Sequence, residues 1–121
     1  MTIDEFFHGY ERSRELWETL MLRAGVRDAE ELRVSKSQIA LMSGRAYAWV
    51  WIPGRYLRGE TAPIVLSIAL GRRDESPRWK EIVEPAPGRY MHHLEVRDAG
   101  DLDDQVVSWL EEARLRAGTP L

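Results

Sequence analysis

Tyr47, Trp49 and Trp51 alternate with Ala46, Ala48, Val50 and Ile52 over seven residues. Successive side chains of a strand point to opposite faces, so this spacing gathers the three aromatics on one face and the aliphatics on the other. A row of aromatics on a sheet face can stack on a flat ligand group or serve as a second packed layer. His93 and Glu95 sit two apart on a later strand pattern, a possible two-ligand or acid–base fragment with no evident third member. His92 points the other way and reads as a hydrogen-bonded core histidine. Ser35-Lys36-Ser37 offers a hydroxyl and an amine that diverge on a strand. There is no glycine-rich phosphate loop, and the carboxylates around Arg78-Trp79-Lys80-Glu81 lack a nuclease pattern. No metal site and no cofactor are expected.

The elements that must position these residues follow from periodicity. Thr2 and Glu5 are spaced as a capping box for a short first helix. Leu16, Trp17, Leu20, Met21 and Ala24 recur at helical spacing up to Gly25. Strands are expected at 32–34, 38–42, 46–52, 64–70 and 89–96, with a tight turn at Ser43-Gly44-Arg45. Ser76 is expected to cap a helical turn over Pro77–Val83. Asp101 is expected to cap a last helix with the stripe Leu102, Val106, Trp109, Leu110 and Ala113. Strands grouped between helices predict an α+β fold: an antiparallel four- to five-stranded meander with N-terminal and C-terminal helices packed on one face. Residues 1–121 are expected to form a single domain.

Parity then sorts the sheet. Ile39, Leu41, Val50, Ile52, Leu66, Ile68, Leu94 and Val96 fall under the helices. Lys36, Gln38, Tyr47, Trp49, Trp51, Ser67, Arg89, Met91, His93 and Glu95 fall on the other face, provided no bulge intervenes. Two arrangements fit. Either residues 53–62 and 77–88 fold over and bury the aromatics, or they rim a cleft in which Arg55, Arg58, Arg78 and Arg89 engage an anion. An exposed aromatic face would also suit a homodimer interface.

Charge is uneven. Residues 1–32 and 98–121 each carry a net of −4, and residues 33–97 carry +5, with −3 for the whole chain. This patterning fits internal complementarity or an anion-attracting surface in the middle segment. Cysteine is absent, which excludes disulfides, thiolate nucleophiles and cysteine-held metals and fits a reducing compartment. No stretch approaches the ~20 apolar residues that span a bilayer. The acidic, amphipathic start is unlike a signal peptide, so no membrane partner and a cytoplasmic location are expected.

Several segments taken together carry a resemblance. They are Val34-Ser-Lys-Ser-Gln38, Tyr47-Ala-Trp-Val-Trp51 with Pro53-Gly54, and Ser76-Pro-Arg-Trp-Lys-Glu81. Glu84-Pro85, Pro87-Gly-Arg89, Met91-His-His-Leu-Glu95 and Leu102-Asp-Asp104 complete the set. Over residues 5–117 the chain resembles a family of small bacterial proteins catalogued as a domain of unknown function, family fifty-six fifty-five. The resemblance implies a compact α+β domain, free-standing or appended to other bacterial proteins, some of them linked to restriction-type systems. It implies no activity, so no catalytic residue carries over.

These features together predict a non-enzymatic binding or accessory domain. Its aromatic-basic face would engage an anionic small molecule, nucleotide-like, or a nucleic acid. The alternatives are a small enzyme using His93 and Glu95 with Lys36 or Arg89, and a homodimer joined through the same face.

Overall fold

The computed structural model describes residues 1–119. The Thr2 hydroxyl accepts from the Glu5 amide and the Glu5 carboxylate accepts from the Thr2 amide, opening α1 (Ile3–Phe7) with a reciprocal cap. The next helix, α2 (Glu11–Ala24), stops where Gly25 takes the left-handed conformation at φ 70°. Its Leu16, Trp17 and Leu20 are buried. The last helix, α3 (Asp104–Gly118), begins at Asp103, whose carboxylate accepts from the Val106 amide. The cap is thus two residues later than the sequence suggests. Asp101 belongs to the preceding 3-10 turn, where it accepts from the Arg97 and Asp98 amides.

Between the helices lie β1 (Leu32–Val34), β2 (Ile39–Ser43), β3 (Arg45–Trp51), β4 (Ile64–Leu70), β5 (Glu81–Ala86) and β6 (Arg89–Val96). They form one antiparallel sheet in the order β1-β2-β3-β4-β6-β5. The architecture is α+β as expected, with six strands rather than four or five. The added strand is β5, at the place where a helical turn is expected over 77–83. Ile82 and Val83 are β-branched, and β6 offers a free edge; pairing with it outweighs the weak helical start at Pro77.

Ile39, Leu41, Ala48, Val50, Ile64, Leu66, Ile68 and Val96 are completely removed from solvent on one face. They share a core with Phe6, Leu16, Trp17 and Leu20 of the N-terminal helices and with Val106, Trp109, Leu110 and Ala113 of α3. Fully burying one such side chain is worth about 1.5–3 kcal/mol, so this face dominates the stability of the sheet. No helix is long and apolar enough to cross a membrane among the described residues.

The strands β4 and β5 run parallel on either side of β6, so the chain leaves β4, crosses the helix-side face of β6 and enters β5 beyond it. Residues 71–80 make this crossing and are tied down by a polar network on the helix side. The Asp74 amide donates to His92 Nε2 at 3.0 Å, and His92 Nδ1–H donates to the Tyr90 carbonyl at 3.1 Å. The Trp79 indole N–H donates to Asp74 at 2.9 Å, while Arg72 bridges Asp74 and Glu112 of α3. Trp79 packs on Trp109 at 4.2 Å and on the His92 ring at 4.8 Å. The buried His92 is therefore the hydrogen-bonded core histidine that strand parity suggests.

Burial holds His92 below the ordinary histidine value of 6.5, against the opposing pull of the Tyr90 carbonyl and Asp74. Burial also lowers His93. The unfolded chain then binds more protons below that value, so stability is complete above it and is lost as pH falls through it. Urea midpoints are expected to be flat above about pH 7 and to decline from about pH 6.5 downward. His92→Gln is expected to lower stability by roughly 1–3 kcal/mol and to flatten part of that decline. A midpoint that rises on acidification through this range would contradict the account.

Candidate functional site

With the helices on one face, the register sets out the other as a grid. One row across the strands reads Ala40, Trp49, Ser67, His93 and Glu81, each directly opposite the next. The next row holds Trp51, Val65 and Glu95, and the row on the other side holds Ala69, Met91 and Val83. The β4 column of this face is therefore small: Val65, Ser67 and Ala69. The columns flanking it are large: Trp49 and Trp51 on β3, Met91, His93 and Glu95 on β6. A trough runs along β4 with indoles for one wall.

Two adjoining clefts occupy this face. The first, about 430 Å³, is lined by Ser37, Gln38, Trp49, Trp51, Tyr56, Ser67, Met91 and His93. The second, about 420 Å³, is bounded by Trp51, Leu57, Arg58, Glu60, Lys80, Glu81, His93, Glu95 and Arg97, among others. Trp51 and His93 belong to both. Residues 53–62 form one rim: after the 3-10 turn Pro53–Arg55, Tyr56 packs on Trp51 with ring centres 6.4 Å apart. Strand β5 extends the sheet beside β6 instead of folding over it. Tyr56 and Leu57 are more than half exposed, and Trp49 and Trp51 half-buried. The segments expected either to seal or to frame the aromatics frame them.

At the floor, Ser67 Oγ lies 2.6 Å from His93 Nδ1, a consequence of their being direct cross-strand partners. Burial pushes the imidazole down from its usual value, while the Glu81 carboxylate on the neighbouring strand pulls it back up. Among the described residues no group of three or more His, Asp or Glu side chains is placed to hold a metal ion.

The trough gathers Gln38, Trp49, Trp51, Arg58, His93 and Glu95 from the residues picked out in the sequence. Tyr47 departs from them. In the β2–β3 ladder Leu41 faces Ala48 but Met42 faces Ala46, so Tyr47 is an extra, bulged residue. The bulge turns its ring into the core beside Leu110 and Arg114 of α3, where it is 4% exposed and burial raises its phenol. Arg55 is also elsewhere: its guanidinium lies over the Phe6 and Tyr10 rings and donates to the Lys36 carbonyl at 3.1 Å. Arg78 is engaged by Asp103, Gln105 and the Asp101 carbonyl at the start of α3. Lys36 lies in the exposed turn before β2 and lines neither cleft, and Arg89 borders a separate shallow cleft at the other end of the sheet.

Lys80, Glu81 and Tyr56 are among the lining residues that the sequence pattern misses. The first two follow from β5, which only the β-branched Ile82-Val83 pair announces. Tyr56 comes from an irregular loop with no periodicity to read.

The family model described as Domain of unknown function (DUF5655) matches residues 3–113. No curated protein and no solved structure matches the chain.

Trp17, Trp79 and Trp109 are at most 9% exposed, which leaves Trp49 and Trp51 as the accessible indoles. Acrylamide is therefore expected to quench only part of the tryptophan emission. A Trp49→Phe, Trp51→Phe variant is expected to lose that accessible part while keeping the native fold by circular dichroism. Unchanged quenching in this variant would mean that the face is covered.

Proposed function

Starting from the fact that the chain belongs to the family of this domain of unknown function, whose description assigns no activity, we propose a non-enzymatic binding domain for a small nucleotide-like ligand. The flat ring of the ligand lies in the trough against Trp49 and Trp51, and its anionic part points to Arg58 and Lys80. The observation that carries this reading is the pairing of half-open indoles with a column of small residues on a sheet face that no helix covers. Clefts of this volume fall within the range of small-molecule sites. Base–aromatic contact of this kind is worth about 1–3 kcal/mol per ring.

The charges narrow the ligand class. Of the basic residues between positions 33 and 97, Arg45, Arg55, Arg72, Arg78 and Arg97 are engaged by carbonyls, rings or carboxylates within the fold. Arg58 and Lys80 enter no ion pair among the described residues and stand at the second cleft. Glu60, Glu81 and Glu95 lie among them. This mixed rim suits a ligand with one or two negative charges in a fixed place and disfavours a long polyanion. The enzyme alternative centred on His93 and Glu95 has less support. Backbone amides of β4 and β6 are committed to ladders on both sides, so they offer no oxyanion site beside Ser67 or His93.

The common nucleoside monophosphates, with oligothymidylate alongside, test this reading by tryptophan fluorescence and calorimetry at low salt. A mononucleotide is expected to bind and perturb the accessible indoles. Trp51→Ala is expected to weaken binding by roughly tenfold or more. Arg58→Ala with Lys80→Ala is expected to weaken it most at low salt. Binding of the oligonucleotide alone, with a steep salt dependence, would shift the partner to single-stranded nucleic acid. No binding of either probe overturns the proposal, and concentration-dependent dimerisation that hides the indoles would favour the homodimer instead.

A further inference from the structure

The polar content of the trough is concentrated in one pair of side chains. Ser67 is 4% exposed, so water does not reach its hydroxyl freely, and a buried O–H needs an acceptor. His93 Nδ1 at 2.6 Å is the acceptor it has. With the neutral imidazole favoured by burial, the Ser67 proton on Nδ1 places the ring's own proton on Nε2. That nitrogen has no hydrogen-bond partner among the described residues. Among the described residues no buried side-chain nitrogen or oxygen lacks one, so Nε2 opens onto the clefts that His93 lines.

The position of this donor matters. Trp49, Ser67 and His93 lie in one row, on three successive strands. Two strand spacings, roughly 10 Å, separate the backbone at Trp49 from that at His93, with only the serine side chain between. A ring held against the indole wall therefore turns an edge toward the imidazole. The charged groups near that edge are Glu81 on β5, Glu95 and Arg97 on or after β6, and Arg58, Glu60 and Lys80 on the flanking segments. Most of these are long, exposed side chains, whereas the His93 ring is fixed by its bond to the sheet floor.

Building on the ligand class proposed above, we infer that His93, oriented by Ser67, is the group that selects the ligand: its Nε2–H donates to an acceptor on the edge of the bound ring. The site then favours flat heterocycles carrying a carbonyl oxygen or an unprotonated ring nitrogen at that edge. Ser67 is a positioning residue, because it acts only through the tautomer it imposes.

Nitrogen-detected NMR of the histidine rings tests this without and with ligand. In the free protein at neutral pH, His93 is expected as a single tautomer with Nδ1 bare and Nε2 protonated. Ser67→Ala is expected to return a mixture of tautomers with the sheet intact. Saturating uridine monophosphate is expected to shift the His93 Nε2 signal together with the Trp49 and Trp51 indole signals. His93→Phe, which keeps a ring but no donor, is expected to bind roughly tenfold more weakly. A protonated Nδ1 in the free protein overturns the inference whatever the ligand does. Shifts at Trp49 and Trp51 with none at His93 overturn it while leaving the binding face in place. No shift at either with any of the common nucleoside monophosphates overturns both.

Discussion

The apolar face of β4 is the constraint from which the rest follows. Ile64, Leu66, Ile68 and Leu70 are all fully buried beneath the helices. A slip of one residue would take all four out of the core and set them in the space now held by Val65, Ser67 and Ala69, and at about 1.5–3 kcal/mol each the burial at stake is comparable with the whole stability of a small protein. Because β4 is held in this register, Val65, Ser67 and Ala69 must face the other way. Its neighbours β3 and β6 are aligned to it by the same burial, so Trp49 and His93 come to stand on either side of Ser67. The geometry of the cleft is a by-product of the packing on its back.

The second determinant is the crossing that places β5 outside β6. It relies on polar groups in a place where polar groups are costly unless paired. Asp74 receives hydrogen bonds from the Ser76 amide and the Trp79 indole and pairs with Arg72, and its own amide satisfies His92. These contacts anchor Trp79 on the helix side. Had Trp79 turned to the other face, it would have covered the trough. With Trp79 held between Trp109 and His92, β5 is free to widen the open face and to bring Lys80 and Glu81 to its edge.

Charge follows a similar division. Among the described residues the basic middle of the chain pairs with the acidic C-terminal segment through Arg72 and Glu112 and through Arg78 and Asp103, while Arg23 and Asp104 tie the two acidic ends together. Such pairs are partly exposed and individually worth little, on the order of 0–1 kcal/mol. Their larger consequence is to withdraw arginines from the open face. The apparent basic surface of the middle segment shrinks to a few residues beside the second cleft, set among glutamates.

Alternation and helical spacing by themselves determined the α+β class, five of the six strands, all three helices and the side of the sheet on which Trp49, Trp51, His93 and Glu95 lie. These follow from local periodicity, which one chain segment displays without knowledge of its neighbours. The tertiary structure decided what periodicity cannot express. Tyr47 shares the spacing of Trp49 and Trp51, yet a single bulge opposite Met42 turns it into the core against α3. Residues 81–86 carry only a faint strand signal, and the free edge of β6 made them a strand. Arg55 and Arg78 could have faced an anion, but aromatic rings and the start of α3 claimed them first. In each case a contact between elements, in a neighbouring hairpin or across the fold, outweighed a local preference of about a kilocalorie per mole or less.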